Sequence, residues 1–487
     1  MTGPAAPAHS PAATPAPGGA SAGGAPPGGP RWEVGRTVRL AAPLIGGQLA
    51  LVGLSAIDTV MAGRFDAAAL AAVAVGSSIF FSLDLFVFGT LLAVPPVVAE
   101  LDGGGRRSRV GPFLRQAFWV ALLLGALLMA ALVYTEPFLH LFRVQPEIVP
   151  VTAGYLRALC WGVPAWVVFL TLRFTSEGLG ETRPNLFAGL LGLPLNVVAN
   201  YALMYGAFGL PELGAVGCGY ATALVWTVQA VAVVAWVAWR REYRGLHLLV
   251  RLDRPSPRRI GRILRLGLPI AVSLFVEGSI FTAVALVLAS MGTEVVAGHQ
   301  VALSFVGVTF MFPLGFAMAI TVRVGNAVGR RDGEGARRAA AVGVGLAMAC
   351  QVVSAGVMLL APGWVAGIYS DDPAVIAVAV DLLFFAALFQ LSDGLQVSAG
   401  GALRGLQDTR VPMLVVIVAY WLVGLPAGWY LTFRLDWGAG GMWLGLVAGL
   451  SVAALLLVLR FLRVSARLAR RFESAPAAPA RRPHSSV

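Results

Sequence analysis

The chain has 487 residues, of which 58% are hydrophobic and 12% charged, with a mean hydropathy of +0.79; soluble domains carry about 25% charged residues, so this composition excludes an ordinary soluble protein. All 36 basic residues are Arg, the net charge is +12, and no nucleic-acid recognition module accompanies the excess. The three cysteines, Cys160, Cys218 and Cys350, stand in separate apolar stretches and suggest neither a disulfide framework nor a metal site.

Residues 1–35 are rich in Pro, Ala and Gly, lack an apolar signal core, and read as a disordered cytoplasmic tail. Stretches long enough to cross a bilayer, about 20 residues each, then recur at 36–63, 68–99, 113–135, 149–173, 184–209, 215–239, 263–291, 295–322, 339–366, 374–403, 411–433 and 438–462. These twelve spans predict an all-α integral membrane protein with both termini on one side. If that side is cytoplasmic, only Arg64, Arg143, Arg157 and Arg434 fall near the opposite face, the asymmetry of the positive-inside rule. Runs such as RRSR and GRRDGEGARR then act as topological determinants beside anionic headgroups. Residues 464–487 read as a second cytoplasmic tail.

The two halves of the chain resemble one another. RTVRLAAPL at 36–44 matches RILRLGLPI at 262–270, GLGETR at 178–183 matches GLQDTR at 405–410, and GAVGCGYATALV from Gly214 matches GAGGMWLGLV from Gly438. The offsets are 226, 227 and 224 residues. This predicts two pseudo-symmetric six-helix bundles: a first lobe at 36–240, a basic linker at 241–261 that serves as a joint, and a second lobe at 262–463. Six spans per repeat give both lobes the same orientation, with a binding cavity between them.

Acids inside spans are expensive and face partners, cavities or ion paths. Asp58 in the first span, Glu277 in the seventh and Asp393 in the tenth are the main candidates. By the repeat, Asp58 corresponds to position 284. Glu277 lies seven residues earlier, two helical turns away and in nearly the same direction. Glu277 and Asp393 stand near mid-span in one lobe, where two like charges favour sharing a proton or a monovalent cation. Asp84 and Asp381 are read either as cavity residues or as interfacial and helix-pairing ones. Asn196 and Asn200 share a helix face near the depth of Asp58, just after Pro194, which is expected to bend the helix and free carbonyls. Phe80, Phe81, Phe275 and Phe310 either line a cavity for flat cations or pack against helices and lipid.

SAIDTVMAG, PELGAVGCGYATA, AGHQVALSF, FMFP and AGGALRGLQDT, spread over both halves, resemble the multidrug and toxic compound extrusion (MATE) family, and within it the NorM-like branch. The resemblance spans roughly residues 36–463. It implies a twelve-helix secondary antiporter of the bacterial inner membrane, working as a monomer, that exports cationic, amphipathic drugs in exchange for Na⁺ or H⁺ and uses no other cofactor. Position by position, it implies that Asp58 is the acid of the first lobe, accompanied by Asn196 and Asn200. Glu277 and Asp393 are then the cation site of the second lobe and the Na⁺ ligands in a sodium-coupled protein. Gln300 matches a cavity-facing position. Glu177 stands where NorM-like members often have Asp. The resemblance assigns nothing to Asp84 or Asp381. Asp371 and Asp372 are read either as an outer drug contact or as a helix cap, and His299 as a proton relay or a hydrogen-bonded packing residue.

A lipid-linked precursor flippase of the same superfamily is the alternative within transport, but it calls for a more basic cavity and extra spans. An integral-membrane enzyme is the alternative in another class. The sequence has no HExxH, GxSxG or phosphate-binding loop and no His/Asp cluster at metal spacing.

Overall fold

The computed structural model describes residues 30–141, 144–243, 246 and 253–474, and among them there are helices and no strands. Most of the expected tails, Arg143 and most of the linker between 244 and 252 lie outside the described residues. The first lobe consists of α1 (Pro30–Phe65), α2 (Ala67–Gly103), α3 (Val110–Val133), α4 (Val149–Cys160 and Val163–Gly178, bent by 51°), α5 (Arg183–Met204) and α6 (Gly214–Trp239). The second consists of α7 (Pro257–Ala289), α8 (Thr293–Gly329), α9 (Gly333–Leu360), α10 (Pro373–Gly405), α11 (Arg410–Arg434) and α12 (Gly438–Glu473). Eleven are long and apolar enough to cross a membrane singly, and α4 does so as a bent pair.

Local chemistry sets the breaks. Asp66, Asp332 and Asp372 cap α2, α9 and α10 by accepting from the backbone N–H of Ala69, Gly335 and Ala374, at 2.5, 2.7 and 2.9 Å. Pro95, Pro96, Pro164 and Pro426 occupy first turns of helical segments, where a missing N–H leaves nothing unpaired. Pro43, Pro194, Pro269 and Pro313 instead lie inside unbroken helices, so the helix carrying Pro194 runs through it without interruption. Just before Pro426, α11 widens into a π-helical stretch at Val418–Gly424. Proline removes one helical donor, and the wider turn re-registers the bonding around the gap.

The ends differ from the sequence reading. α1 begins at Pro30 and not at 36, because Glu33 in its first turn is buried against the second lobe. α12 continues to Glu473, well past 463. The linker is less free than a joint. Asp253 accepts from Arg115 Nε at 2.7 Å, its carbonyl accepts from Trp119 Nε1 at 2.8 Å, and Gln116 bonds both the Arg254 carbonyl and the Ser256 N–H. Its described exit is therefore strapped along α3 until α7 starts at Pro257.

The internal repeat reappears as a two-fold interface between lobes. α1 packs on α8, and its repeat equivalent α7 packs on α2. Gly89 meets Ala271, so closely that a methyl group on the glycine would lie 2.5 Å from the Ala271 Cα, and Gly315 meets Ile45. Gly89 and Gly315 are 226 residues apart, as are Ile45 and Ala271. Farther toward the arginine-rich end, Gly103 meets the Asn326 carbonyl and Gly329 meets the Glu100 carbonyl, again pairs related by 226. The charges break this symmetry. The Arg323 guanidinium binds the Glu33 carboxylate and the Thr37 hydroxyl, all three buried. The repeat positions of Glu33 and Arg323 are Arg259 and Val97, which cannot form the same pair. Elsewhere at this end, Glu100 accepts from Gln407 at 2.6 Å and from Arg106 at 2.9 Å, and lies 3.5 Å from Arg262.

Enlarging either member of the upper glycine pair should push the lobes apart. Gly89→Val and Gly315→Val are expected to destabilise by similar amounts, about 1–3 kcal/mol each from overpacking. Gly345→Val and Gly356→Val, at positions with nothing within 4 Å, should be neutral or slightly stabilising. Thermal unfolding in detergent checks this, and equal behaviour of all four would contradict the interface.

Candidate functional site

In the first lobe, Asp58 of α1 is 8% exposed and receives neutral donors from two other helices. Asn196 Nδ2 and Asn200 Nδ2 of α5 donate to its Oδ1 at 3.0 and 2.7 Å, and Thr222 Oγ1 of α6 donates to Oδ2 at 3.2 Å. Asn200 Nδ2 also reaches Asn196 Oδ1 at 3.2 Å. The four-residue spacing that puts both asparagines on one face of α5 places both amides on one carboxylate oxygen. Thr222 is a member the sequence reading lacked. It stands in the PELGAVGCGYATA motif but carried no signal of its own, since its partner is on another helix. Among the described residues no guanidinium or imidazole contacts this carboxylate, and its amide and hydroxyl donors tie α1 to α5 and α6.

In the second lobe, Gln396 Nε2 of α10 donates to Glu277 Oε1 of α7 at 2.8 Å. Asp393, one turn earlier on α10, is buried and interacts electrostatically with Glu277. Asp393 Oδ2 and Gln396 Oε1 are buried without a hydrogen-bond partner. Together with the Glu277 carboxylate, these oxygens are the donor set available to a hard monovalent cation or a proton. Tyr420, on the π-helical stretch of α11, is buried and interacts electrostatically with both acids. Sequence periodicity missed it because a wide turn shifts the facing residue. One turn below Asp393, Gln390 bonds Ser354 Oγ at 3.3 Å and also binds Thr309 and Gln351. This polar column inside α10 was likewise missed. At the level of Glu277, the lobes touch through Phe86 and Phe275, whose ring centroids are 5.1 Å apart.

The remaining candidates go elsewhere. Glu177 is not brought to Asp58. It forms a fully buried ion pair with Arg173 at 2.8 Å, and Arg173 Nη2 donates to Gln48 Oε1 at 2.5 Å. Gln48 is ten residues before Asp58 on α1, about 15 Å along the helix. The sequence contained the signal, an Arg and a Glu four apart. Asp84 accepts from Trp166 Nε1 at 2.8 Å inside an aromatic core in which Trp166 lies against Phe169 and Trp226, and Phe80 stacks on Trp226. Gln300 is exposed on α8 and does not join the Glu277 group; Asp381 is exposed too. Asp372 is the helix cap. His299 is fully buried edge-on to Trp443 at 5.6 Å, and neither ring nitrogen has a partner. Cys160 and Cys218 are buried and Cys350 is half-buried, all three unbridged.

A family model described as MatE matches residues 43–202 and 269–430. The matched stretches begin 226 residues apart, the offset of the internal repeat. The multidrug resistance protein PmpM of Pseudomonas aeruginosa is 44% identical over 449 residues, covering 91% of this chain and 94% of that protein. A probable multidrug resistance protein NorM of Xanthomonas axonopodis pv. citri is 43% identical over 437 residues, covering 90% and 95%. Among solved structures, the eukaryotic MATE transporter AtDTX14 superposes with a TM-score of 0.82 at 18% identity over 91% of this chain and 100% of the other, a likeness of fold.

The Arg173–Glu177 pair gives the site a structural control. Arg173→Met strands the buried Glu177 carboxylate and is expected to cost about 3–5 kcal/mol. Arg173→Met combined with Glu177→Leu should recover to within about 1 kcal/mol of the parent, since apolar replacement of a whole buried pair is often neutral. Equal destabilisation of the single and double variants in a thermal-shift assay would refute the pairing.

Proposed function

Because the chain belongs to the MATE family of membrane transporters, we propose that it exports cationic, amphipathic drugs in exchange for Na⁺ or H⁺, with Glu277 and Asp393 as the coupling-ion site and Asp58 as the acid of the first lobe. The observation that carries this reading is the Asp393 carboxylate, buried beside Glu277 with one oxygen that no donor answers. A carboxylate in that position is completed by a proton or a small cation, and among the described residues no side chain donates to its Oδ2.

With the arginine-rich end placed on the cytoplasmic side of a bacterial inner membrane, the conformation described here is closed to the cytoplasm. The Glu33–Arg323–Thr37 and Glu100–Gln407–Arg262 contacts hold the lobes together there. A coupling ion from outside adds positive charge at Glu277 and Asp393, using the free Asp393 Oδ2 and Gln396 Oε1 as ligands or as the acceptors of a shared proton. At Asp58, an organic cation competes with the Asn196, Asn200 and Thr222 donors. Exchange requires only that ion and drug favour different arrangements of the lobes. The names of the curated relatives, multidrug resistance proteins, support the substrate class, and a single chain holds both acid sites, which supports a working monomer.

Efflux of ethidium from proteoliposomes under imposed Na⁺ or H⁺ gradients tests the assignment. Asp393→Asn and Glu277→Gln are expected to abolish the gradient-driven component, a fall of at least ~10-fold, corresponding to about 1.4 kcal/mol or more of lost coupling. Asp58→Asn should slow export while Asp381→Asn leaves it intact. Normal pumping by Asp58→Asn, Glu277→Gln and Asp393→Asn under both gradients would refute the scheme.

A further inference from the structure

The C-terminal part of α12 carries a feature that transport does not use. Residues 456, 459, 463, 467 and 470 recur at spacings of three and four, so they share one face of the helix. On that face Leu456 and Leu459 are 40% and 39% exposed. Directly beyond them stand Arg463, Arg467 and Arg470, with Arg471 beside them, all exposed. The opposite face is packed: Phe461 and Ser465 are buried, Ser465 accepts from Arg337 Nε at 3.2 Å, and Ala469 lies against Gly333 of α9. The arginines are therefore held outward on a docked helix. Arg460, at the inner edge of the stripe, bonds Asp408 at 2.8 Å. Among the described residues, none of the other four forms an ion pair.

α12 is 36 residues long, about 54 Å, against a hydrocarbon core of about 30 Å. Its last three turns consequently rise through the headgroup layer. We propose that this face is a binding site for anionic phospholipid. The acyl chains lie along Leu456 and Leu459, and the headgroup phosphate sits against Arg463 and Arg467, with Arg470 and Arg471 reaching the next phosphate. The continuity of the apolar and basic stripes selects a lipid over a free anion, because only a lipid fills both at once. Guanidinium groups suit the task, since their forked donors match phosphate oxygens.

The test uses the full-length protein in phosphatidylcholine vesicles containing a spin-labelled phosphatidylglycerol, with the protein-associated fraction read by electron paramagnetic resonance. Combined Arg463→Gln, Arg467→Gln, Arg470→Gln and Arg471→Gln should weaken the preference for phosphatidylglycerol over phosphatidylcholine about five-fold or more. The same four positions changed to Lys should retain most of it. A control with equal charge loss, Arg109→Gln, Arg183→Gln, Arg241→Gln and Arg258→Gln, should retain the preference. If the fourfold Gln variant does not fold, Arg463→Gln with Arg467→Gln reads the same effect. An equal loss in the control would show only diffuse surface charge and overturn the proposal. Competition by millimolar inorganic phosphate would show a free-anion site and overturn it as well, as would an unchanged preference in the Gln variants.

Discussion

Hydrocarbon offers a carboxylate no water, so every acid inside these helices must be answered by the protein or by something the protein binds. The five candidate acids within the bundle, four buried and Glu277 half-buried, are answered in graded ways. Glu177 has a guanidinium four residues away and is closed off with it. Asp84 has an indole N–H inside an aromatic core. Asp58 has three neutral donors spread over both its oxygens. Glu277 has one amide, and Asp393 has an oxygen with none. The first carries a fixed positive partner, although its Oε2 has no hydrogen-bond donor, and the second is held by a fixed neutral donor. Among the described residues none of the last three makes a contact ion pair, although the buried Arg404 guanidinium acts electrostatically on Glu277, and in the proposed scheme these are the acids that exchange a mobile positive charge.

The interface between lobes sets what such an exchange can move. Duplication gives two equivalent crossings, α1 on α8 and α7 on α2, each sealed by a glycine where backbones approach too closely for a side chain. The axis relating equally oriented lobes runs along the membrane normal, so the two ends of the interface are inequivalent whatever the symmetry. The arginine-rich end is held by charge as well, since Glu33 and Arg323 face one another there, on one side of the pseudo-axis only, their repeat positions being Arg259 and Val97. Breaking that pair leaves two buried charges needing water, and opening the arginine-rich end supplies it. The latch is strong while dry and weak once wetted, which favours two discrete states over a continuum.

Much of this was legible in the sequence, for definite reasons. Span number and the repeat follow from apolar length and an offset that the glycine contacts reproduce to the residue. The N-lobe partners Asn196 and Asn200 were legible because they sit four apart on one helix. What stayed hidden depends on neighbours distant in sequence. Thr222, Trp166 and Gln48 are ordinary residues of apolar helices until folding sets them against a charge. Tyr420 faces the second site because of a π-helical stretch, which a 3.6-residue period cannot anticipate. Glu33 looked like part of a tail because its partner, Arg323, is 290 residues away. The linker looked like a hinge because its bonds come from Arg115, Gln116 and Trp119, in the first turns of a span more than 130 residues earlier.

Two of the three helices that carry Asp58, Glu277 and Asp393, α1 and α7, also cross between the lobes. On α7, Glu277 is six residues from Ala271, the residue wedged against Gly89, about 9 Å along the axis. On α1, Asp58 is thirteen residues from Ile45, wedged against Gly315, about 20 Å away. A change of charge at either acid therefore acts on a rigid rod already seated in the opposite lobe, with no loop between to absorb it. The shorter lever belongs to Glu277 of the second lobe. The longer belongs to the acid held by three donors, where displacing a donor loosens α1 from α5 and α6. In the proposed scheme, an ion at the second-lobe acids and an organic cation at Asp58 press on the same interface from two distances, through the same kind of glycine contact, so occupancy of one site alters the free energy of the arrangement the other requires.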